Sequence, residues 1–463
     1  MAHCSVVPAQ HTVSLTVDCA DRAAESRLEP RGFRSLVWLE ELTLQHCNLQ
    51  RLPDRAFLGL TRLRGLTVRS SAPGTLTLTR GSFEGLANLQ RLDLSNNRVR
   101  LIEPGVLCSL PNLVQLSLAA AHLAGLADLG LTSLVSQPVC LRKVRQLDLS
   151  HNQLTELTAT HLHNFPGLTS LDVSHNLLSS LSADTLEFAP NLQELFLSNN
   201  QLTSVPVLLL EGLKLTSLSL ANNSLFSLPG ALLTGQTNLT SLDLSGNLLT
   251  GSELRPAIFS SLSSLTSLSL ARNRLEKVKR KLFWELHALQ SLDLSQNLLR
   301  EVPARLLKSQ SQLTSLSLSG NLLEQLGGEA LAGAGQLHHL RLDTNSLDRV
   351  AEQVRTYRPD SNILFTTVLQ VWQNLSSLSV LELSNNRLTA VPPGLRFLRG
   401  LTLLDLAGNR ITELGEQAVP LQQLWRLDLS SNRIANISAA DLKQLSSLQI
   451  LDLSKNRIEV RLN

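Results

Sequence analysis

Leucines recur along almost the whole chain in one pattern, and polar residues fill most of the positions between them. The clearest copy is LQRLDLSNNRV, from Leu89 to Val99, which reads Leu-x-x-Leu-x-Leu-x-x-Asn. Apolar and polar residues alternate in its Leu-x-Leu centre, which predicts a short strand with alternate side chains pointing inward. Seventeen copies align, and they begin at Leu39, Leu63, Leu89, Leu113, Val144, Leu168, Leu192, Leu215, Leu239, Leu265, Leu289, Leu313, Leu337, Leu378, Leu401, Leu424 and Leu448.

The motif explains how such short strands can fold. A single copy cannot bury its leucines, but stacked copies bury them against one another in one continuous core. The asparagine stands where the chain leaves the strand, and its amide can satisfy backbone groups that the turn would leave unpaired. The sequence therefore predicts an α/β leucine-rich-repeat solenoid, a horseshoe or arc of about 17 repeats. We expect a parallel concave sheet and irregular or short helical convex segments.

The spacing of the copies defines the expected organisation. Residues 1–38 form an N-terminal flank, in which Val13 to Val17 alternates like a capping strand. Thirteen repeats occupy 39–347, and four more occupy 378–463. The 348–377 segment interrupts them and could be a functional loop, a degenerate repeat or retained intron-derived sequence. No C-terminal cap follows the last repeat, so we expect the chain to be an internal piece of a longer protein.

Aromatic residues make up only 3% of the chain, which fits a core built of leucine side chains. Phenylalanines on the convex segments are expected to fill the space behind the strands. They are Phe57, Phe83, Phe165, Phe188, Phe259 and Phe283.

Charge and motifs exclude several function classes. The formal net charge of +3 gives no case for a nucleic-acid or anionic-membrane partner. We see no signal peptide, no apolar stretch of about 18 residues that could span a membrane, and no catalytic or phosphate-binding motif. We therefore expect a protein without enzymatic activity or a cofactor, metals included.

The five cysteines suggest an oxidising compartment. Cys4 and Cys19 precede the first repeat and could staple a cap over it. Cys108 and Cys140 flank the repeat at Leu113 and could clip the longer loop that follows. Cys47 occupies the asparagine position of its repeat, and we interpret it as a buried ladder residue rather than a reactive thiol.

Glycosylation sequons also suggest an extracellular chain, although a chain rich in Asn, Ser and Thr would contain one or two by chance. They stand at Asn222, Asn238, Asn374 and Asn436.

The side chain of the residue between the two central leucines should point outward on the concave sheet face. In most repeats this residue is acidic or carries a hydroxyl group. Such a stripe could be a ledge for a basic or polar protein ligand, or simply the common filling of this repeat. Phe196 and Arg341 depart from it, and an aromatic and an arginine are typical interface anchors. The candidate ligand-binding residues are Phe196, Arg341, Asp148, Asp172, Asp243 and Asp293.

Residues 10–155 carry a more specific resemblance. The runs from Arg27 to Ser70, GSFEGLANLQRLDLSNNRV, VLCSLPNLVQLSL and VCLRKVRQLDLSHNQL resemble the amino-terminal ectodomain of the long insect-type Toll receptors. Cys47, Cys108 and Cys140 match cysteine positions of that family. The resemblance implies a cell-surface receptor whose ectodomain binds a protein ligand or a cell-surface protein. A cytoplasmic TIR domain would then signal in immunity or patterning.

Three functions therefore compete. The chain could be a fragment of a Toll ectodomain, which acts outside the plasma membrane and could form homo- or heterodimers. It could be an extracellular adhesion or matrix protein without TIR signalling, or an intracellular scaffold. Each would act by protein binding.

Overall fold

A computed structural model describes residues 11–19, 25–69, 75–126, 139–350, 370–373, 375–414, 421–437 and 445–458. The chain divides into two compact units, Met1–Ser224 and Leu225–Asn463. We call them unit 1 and unit 2 and describe each by itself.

Unit 1 is built on a nine-stranded parallel sheet. Neighbouring strands pair in chain order, each with the next repeat. The strands are β1 Ser14–Asp18, β3 Glu41–Gln45, β6 Gly65–Arg69, β8 Arg91–Asp93, β10 Gln115–Ser117, β11 Gln146–Asp148, β12 Ser170–Asp172, β13 Glu194–Phe196 and β14 Ser217–Ser219.

Unit 2 repeats this plan with nine parallel strands. They are β15 Ser241–Asp243, β16 Ser267–Ser269, β17 Ser291–Asp293, β18 Ser315–Ser317, β20 His339–Arg341, β22 Val380–Glu382, β23 Leu403–Asp405, β24 Arg426–Asp428 and β25 Ile450–Asp452. Together the two units contain a strand for each of the seventeen motifs, with β1 in addition. The predicted leucine-rich-repeat solenoid is confirmed.

The segments behind the strands are mostly turns. Unit 1 has the short parallel pairings of β2 (Glu25–Ser26) with β4 (Asn48–Leu49), and of β5 (Arg51–Leu52), β7 (Thr75–Leu78) and β9 (Arg98–Ile102). Unit 2 has β19 (Gln325–Leu326) with β21 (Arg349–Val350). Within the described residues the α-helices are α1 (Ala159–Leu162) and α2 (Gln370–Gln373), and 3-10 turns include Leu107–Ser109, Pro256–Phe259 and Leu395–Phe397.

Most three-residue strands of the two sheets bury their middle leucine and expose the residues on either side in part. Five of the six phenylalanines are fully buried behind the strands, but Phe188 is 36% exposed and its ring lies edge-on to His163. The prediction for Phe188 was wrong because of register. Phe83 precedes its motif leucine by six residues, whereas Phe188 precedes Leu192 by four. Leu186 takes the buried position in that repeat.

An asparagine ladder closes the turn after the strand. In the repeat of Asn176, the side-chain amide donates to the carbonyls of Val173 and Ser174 and to Leu149 of the preceding repeat, at 3.0–3.1 Å. Its Oδ1 accepts the N–H of Leu154 at 2.9 Å. Each asparagine therefore ties its own turn to the preceding repeat. Unit 1 has Asn97, Asn152, Asn176, Asn200 and Asn223, and unit 2 has Asn247, Asn273, Asn297, Asn321, Asn345, Asn386, Asn409, Asn432 and Asn456.

The N-terminal strand changes one prediction about the cysteines. Strand β1 pairs with β3 from Ser14 opposite Glu41 to Asp18 opposite Gln45, which brings Cys19 beside the turn that holds Cys47. A disulfide joins Cys19 to Cys47, with their Cα atoms 4.9 Å apart. The expected Cys4–Cys19 bridge was therefore wrong. Cys47 is buried at the ladder position, as expected, but it is half of a disulfide and not a thiol. Cys4 lies outside the described residues.

A second disulfide joins Cys108 and Cys140, the pair that flanks the repeat of β10. Residues 127–138 of the loop between them lie outside the described residues. Because strands β10 and β11 pair directly, this bridge closes the longer connection at its base.

We expect removal of the Cys108–Cys140 bridge to destabilise unit 1. The bridge closes a loop of 32 residues, for which loop-closure entropy gives about 2–4 kcal/mol. The variant Cys108→Ala/Cys140→Ala should therefore melt at a lower temperature than the parent under non-reducing conditions. Calorimetry would measure the difference, and a mild reductant should abolish it. Equal melting temperatures without reductant would contradict the expectation.

Residues 351–369 and 374 of the 348–377 segment lie outside the description. On either side of it, β20 pairs directly with β22, from His339 opposite Val380 to Arg341 opposite Glu382. Helix α2 buries Trp372 completely, and the indole N–H donates to the carbonyl of Pro393 at 3.2 Å. The end of the segment is therefore anchored in the core behind the next repeat.

Candidate functional site

The sheet face of unit 1 carries a groove of about 490 Å³ that is lined by seven consecutive strands, from β3 to β13. Motif leucines such as Leu92 and Leu147 lie beneath its floor, because their side chains point inward and are buried. The residues on either side of them point outward from the sheet. Polar and charged side chains form its walls, and Phe196 lines one end. Most of the wall belongs to residues on either side of the central motif leucine.

The aspartates of the sheet face have a structural role. Oδ1 of Asp148 accepts the backbone N–H and the hydroxyl of Ser150, at 3.0 and 2.7 Å. Asp172 and Asp243 accept the N–H two residues later in the same way, at 2.8 and 2.9 Å. In Leu-Asp-Leu-Ser the aspartate thus fixes the turn that leads to the ladder asparagine. One carboxylate oxygen is committed to the fold, and the other is available to the surface or to a neighbouring strand.

Ion pairs cross the strands at the other end of the groove. Nε of Arg69 lies 3.0 Å from Oδ2 of Asp93, one strand away. Arg91 pairs with Glu41 two strands away, over Gly65. A Cβ atom at position 65 would collide with the Glu41 carboxylate, so the glycine leaves the space in which this pair forms. These pairs orient two guanidinium groups at the groove wall.

Phe196 is the aromatic residue of the groove. It occupies the outward position of β13, opposite Asp172 of β12 and Ser219 of β14, and its side chain is half-buried. A ring among carboxylate and hydroxyl groups offers an apolar contact where the rest of the wall offers hydrogen bonds. Large, rigid side chains of this kind dominate binding energy at protein interfaces.

The candidates of unit 2 are arranged differently. Nε of Arg341 lies 2.9 Å from Oε2 of Glu382 on the next strand, and this hydrogen bond raises the pKa of Arg341. Arg341 is therefore half of a surface ion pair and not an isolated cation. Asp293 accepts the N–H of Ser295 at 2.9 Å, as Asp243 accepts that of Ser245. The groove gathers Asp148, Asp172 and Phe196, but not the three candidates of unit 2.

The groove also contains two charged residues that the sequence did not single out, Glu41 and Arg91, each one position before the central leucine of its motif. A third, Arg69, lies at its edge and follows Val68, the last apolar position of its strand. A signal for Arg91 was present, because residues i and i+2 of a strand share a face and Asp93 was already assigned outward. Only the position between the two leucines had been considered.

Two stacked histidines lie in the turns that follow β11 and β12. The rings of His151 and His175 lie 3.9 Å apart at an angle of 11°, and Nδ2 of Asn199 approaches Nε2 of His175 at 3.1 Å. Partial burial and the neighbouring His151 lower the pKa of His175, against the opposing effect of Asp172. Burial also lowers the pKa of His161. Its Nδ1 accepts the N–H of Thr158 at 3.1 Å, which protonation would prevent.

Acidification should destabilise unit 1 through these two histidines. Their folded pKa values lie below the unfolded value of about 6.5, so the unfolded chain binds more protons between the two. Their contribution is complete above about pH 6.5 and is lost as the pH falls towards the folded pKa. The variant His161→Asn/His175→Asn should show a smaller drop in melting temperature between pH 7.5 and 5. An unchanged pH dependence would contradict this.

The sequons differ in accessibility. Asn238 and Asn436 are exposed, and Asn222 is half-buried at a turn with a positive φ of 51°. Asn374 lies outside the described residues. Asn238 and Asn436 are therefore the positions open to a glycan in the described part of the chain.

The described ranges contain neither a candidate membrane-spanning helix nor a candidate metal cluster. None of their helices is long and apolar enough to cross a membrane. No group of three or more His, Cys, Asp or Glu residues there is placed to hold a metal ion.

Comparison with known proteins assigns the family. A family model described as Leucine rich repeat matches residues 74–123, 142–202, 252–299, 288–347 and 399–458, and a second model of that description matches 238–262 and 377–398. Since the first model alone covers more than half of the chain, the chain belongs to the leucine-rich repeat family.

Within that family, relatives include receptors. Toll-like receptor 7 of Drosophila melanogaster is 33% identical over 153 residues, which are 31% of this chain and 11% of that receptor. The structure of Toll of Drosophila, in its complex with Spatzle, has a TM-score of 0.68 at 24% identity and matches 92% of this chain and 52% of that one. The plant peptide hormone receptor RGFR1, in complex with RGF2, has a TM-score of 0.64 at 25% identity, over 92% and 64% of the two chains. The chain is thus related to Toll-type and other leucine-rich-repeat receptors, and spans about a tenth of the curated Toll-like receptor.

Proposed function

We propose that this chain is a ligand-recognition module of an extracellular Toll-type receptor and that it binds a protein on the sheet face of unit 1. The observation that carries the proposal is the groove from β3 to β13, with Phe196 among oriented charges. Its floor and walls belong to consecutive strands of one sheet, so the surface exists before a ligand arrives. A preformed surface avoids the entropic cost of ordering a binding site.

The charges of the groove suggest the chemistry of the partner. Glu41, Asp93, Asp148 and Asp172 supply four carboxylates, while Arg91 at the wall and Arg69 at its edge supply two guanidinium groups, both already paired. We infer a partner surface with basic or hydroxyl-bearing side chains around an apolar contact for Phe196. Electrostatic complementarity of this kind favours specificity and a fast association rate.

The likeness to receptors that bind protein or peptide ligands supports this proposal. The parent protein would be a glycosylated membrane receptor in innate immune or developmental signalling, and could act as a homo- or heterodimer. In such a receptor, segments beyond the described repeats would supply the membrane span and the TIR domain. The two disulfides favour the extracellular side, because they persist in oxidising compartments.

The extracellular assignment is tested by expressing residues 1–463 through a secretory pathway and mapping cysteines and glycans by mass spectrometry. We expect Cys19–Cys47 and Cys108–Cys140 bridges and sugar on Asn238 or Asn436. Folded protein with free thiols and no glycan would contradict the proposal and favour an intracellular scaffold. An extracellular protein whose gene encodes no TIR domain would indicate an adhesion or matrix protein.

A further inference from the structure

Four arginines occupy one register position in the last four repeats of unit 2. Each follows the ladder asparagine directly, and we call the set Arg387, Arg410, Arg433 and Arg457 the arginine ladder. The equivalent position in the earlier repeats of unit 2 is mixed. It holds Leu248, Arg274, Leu298, Leu322 and Ser346.

The fold fixes the spacing of the arginine ladder. The N–H of Arg410 donates to the carbonyl of Leu388 at 2.8 Å, and those of Arg433 and Arg457 donate to Ile411 and Ile434 at 2.9 Å. Each arginine is thus tied by its backbone to the residue that follows the arginine of the preceding repeat. With strands roughly 4.8 Å apart, the four backbone positions extend over roughly 14 Å in one line.

The guanidinium groups of the ladder are exposed and, within the described ranges, lack an acidic partner. All four side chains are exposed, and none forms an ion pair with a described carboxylate within 4 Å. Asp405 and Asp428, on the strands before Arg410 and Arg433, use Oδ1 to hold their own turns. Like charges at this spacing repel one another, so an external anion that bridges them would relieve an unfavourable arrangement.

The surroundings of the ladder indicate what kind of anion fits. Leu388, Ile411 and Ile434, next to the first three arginines, are buried, and the exposed residues that follow them are Thr389, Thr412 and Ala435. Next to Arg457, at the end of the row, Ile458 is 38% exposed. These small side chains offer neither an aromatic platform for stacking bases nor a large apolar anchor for a folded protein. What remains is a straight row of forked donors that match sulfate oxygens in pairs.

We propose that the arginine ladder binds a linear sulfated polysaccharide along the edge of unit 2. The biological relevance of this site rests on the proposed function, which locates the chain outside the cell, because sulfated polysaccharides are extracellular. The site lies on different repeats from the groove of unit 1. A receptor with both sites would hold a glycan at the cell surface without occupying its protein-binding face.

Purified protein and heparin test this proposal, whatever compartment the protein comes from. The variant replaces the four ladder arginines with glutamine. The control replaces Arg272, Arg274, Lys277 and Lys279 with glutamine, which removes the same charge from another exposed cluster. We expect the ladder variant to bind heparin at least about 100-fold more weakly at ~0.1 M salt. The slope of its log affinity against log salt concentration should fall by an amount that corresponds to roughly three to four ionic contacts. The control should change little.

Three further measurements discriminate the chemistry. Replacing the ladder arginines with lysine should restore only part of the affinity, because lysine lacks the fork. Fully desulfated heparin, an oligothymidylate and polyglutamate should all bind weakly. The proposal is overturned if the parent does not bind heparin, if the control loses as much as the ladder variant, or if any of those three probes binds as tightly. Phe196→Asp should leave heparin binding intact, which separates this proposal from the proposed function.

Discussion

Replacing Phe283 with alanine should lower the free energy of unfolding of unit 2 by about 3–5 kcal/mol. The ring is completely buried behind the strands, and its centroid lies 6.3 Å from that of Phe259 in the preceding repeat. Its removal loses apolar burial and leaves a cavity between two repeats that the backbone hydrogen bonds keep at a fixed spacing. Chemical denaturation of the purified protein measures the effect.

The matched control is Phe226→Ala. That side chain is 57% exposed, so we expect a change within about 0.5 kcal/mol. Equal effects of the two substitutions would show that the convex phenylalanines do not form the core assigned to them.

Replacing the ladder residue Asn273 with alanine should destabilise unit 2 by a similar amount, about 3–5 kcal/mol. Its amide donates to the carbonyls of Leu244, Leu270 and Ala271 at 3.0–3.1 Å, and Oδ1 accepts the N–H of Leu249 at 3.0 Å. Alanine leaves that N–H buried without its acceptor and removes three bonds to carbonyls. Thermal and chemical unfolding would report the loss.

Two controls separate the hydrogen bonds from the change in volume. Asn273→Asp keeps the shape and the acceptor but removes the donors, so it should also destabilise strongly. Asn238→Ala, at an exposed position, should have an effect near zero. A mild effect of both Asn273 substitutions would mean that the ladder is not the main tie between repeats.

The solenoid was predictable because its determinants are local and repeated. A leucine at the second motif position and an asparagine at the last follow from needs that every repeat shares: an inward side chain and a turn with buried polar groups. Strand β1 has no such motif, which is why the Cys19–Cys47 bridge was missed. The pairing of β1 with β3 lies in the N-terminal flank, where no repeat spacing predicts which strands are neighbours.

The candidate site was less predictable, because surface roles depend on neighbours in adjacent repeats. Arg341 and Glu382 are 41 residues apart in sequence yet adjacent on paired strands, so an apparent lone anchor is half of an ion pair. The aspartates carry two roles that composition alone cannot separate. The N–H of Ser174 donates to Asp172 at 2.8 Å, which shows the structural role. The place of Asp148 and Asp172 on the groove wall leaves the second role open to a ligand.

In the proposed function, the sheet face of unit 1 recognises a protein through Phe196. The most direct test compares the parent chain with Phe196→Asp as probes of an array of secreted and cell-surface ectodomains, with Phe226→Asp as an exposed aromatic control from unit 2. We expect at least one array protein to bind the parent and the control with equal affinity and to lose about 10-fold or more with Phe196→Asp. Binding that is insensitive to Phe196, or the absence of any binder in the array, would overturn the proposed function.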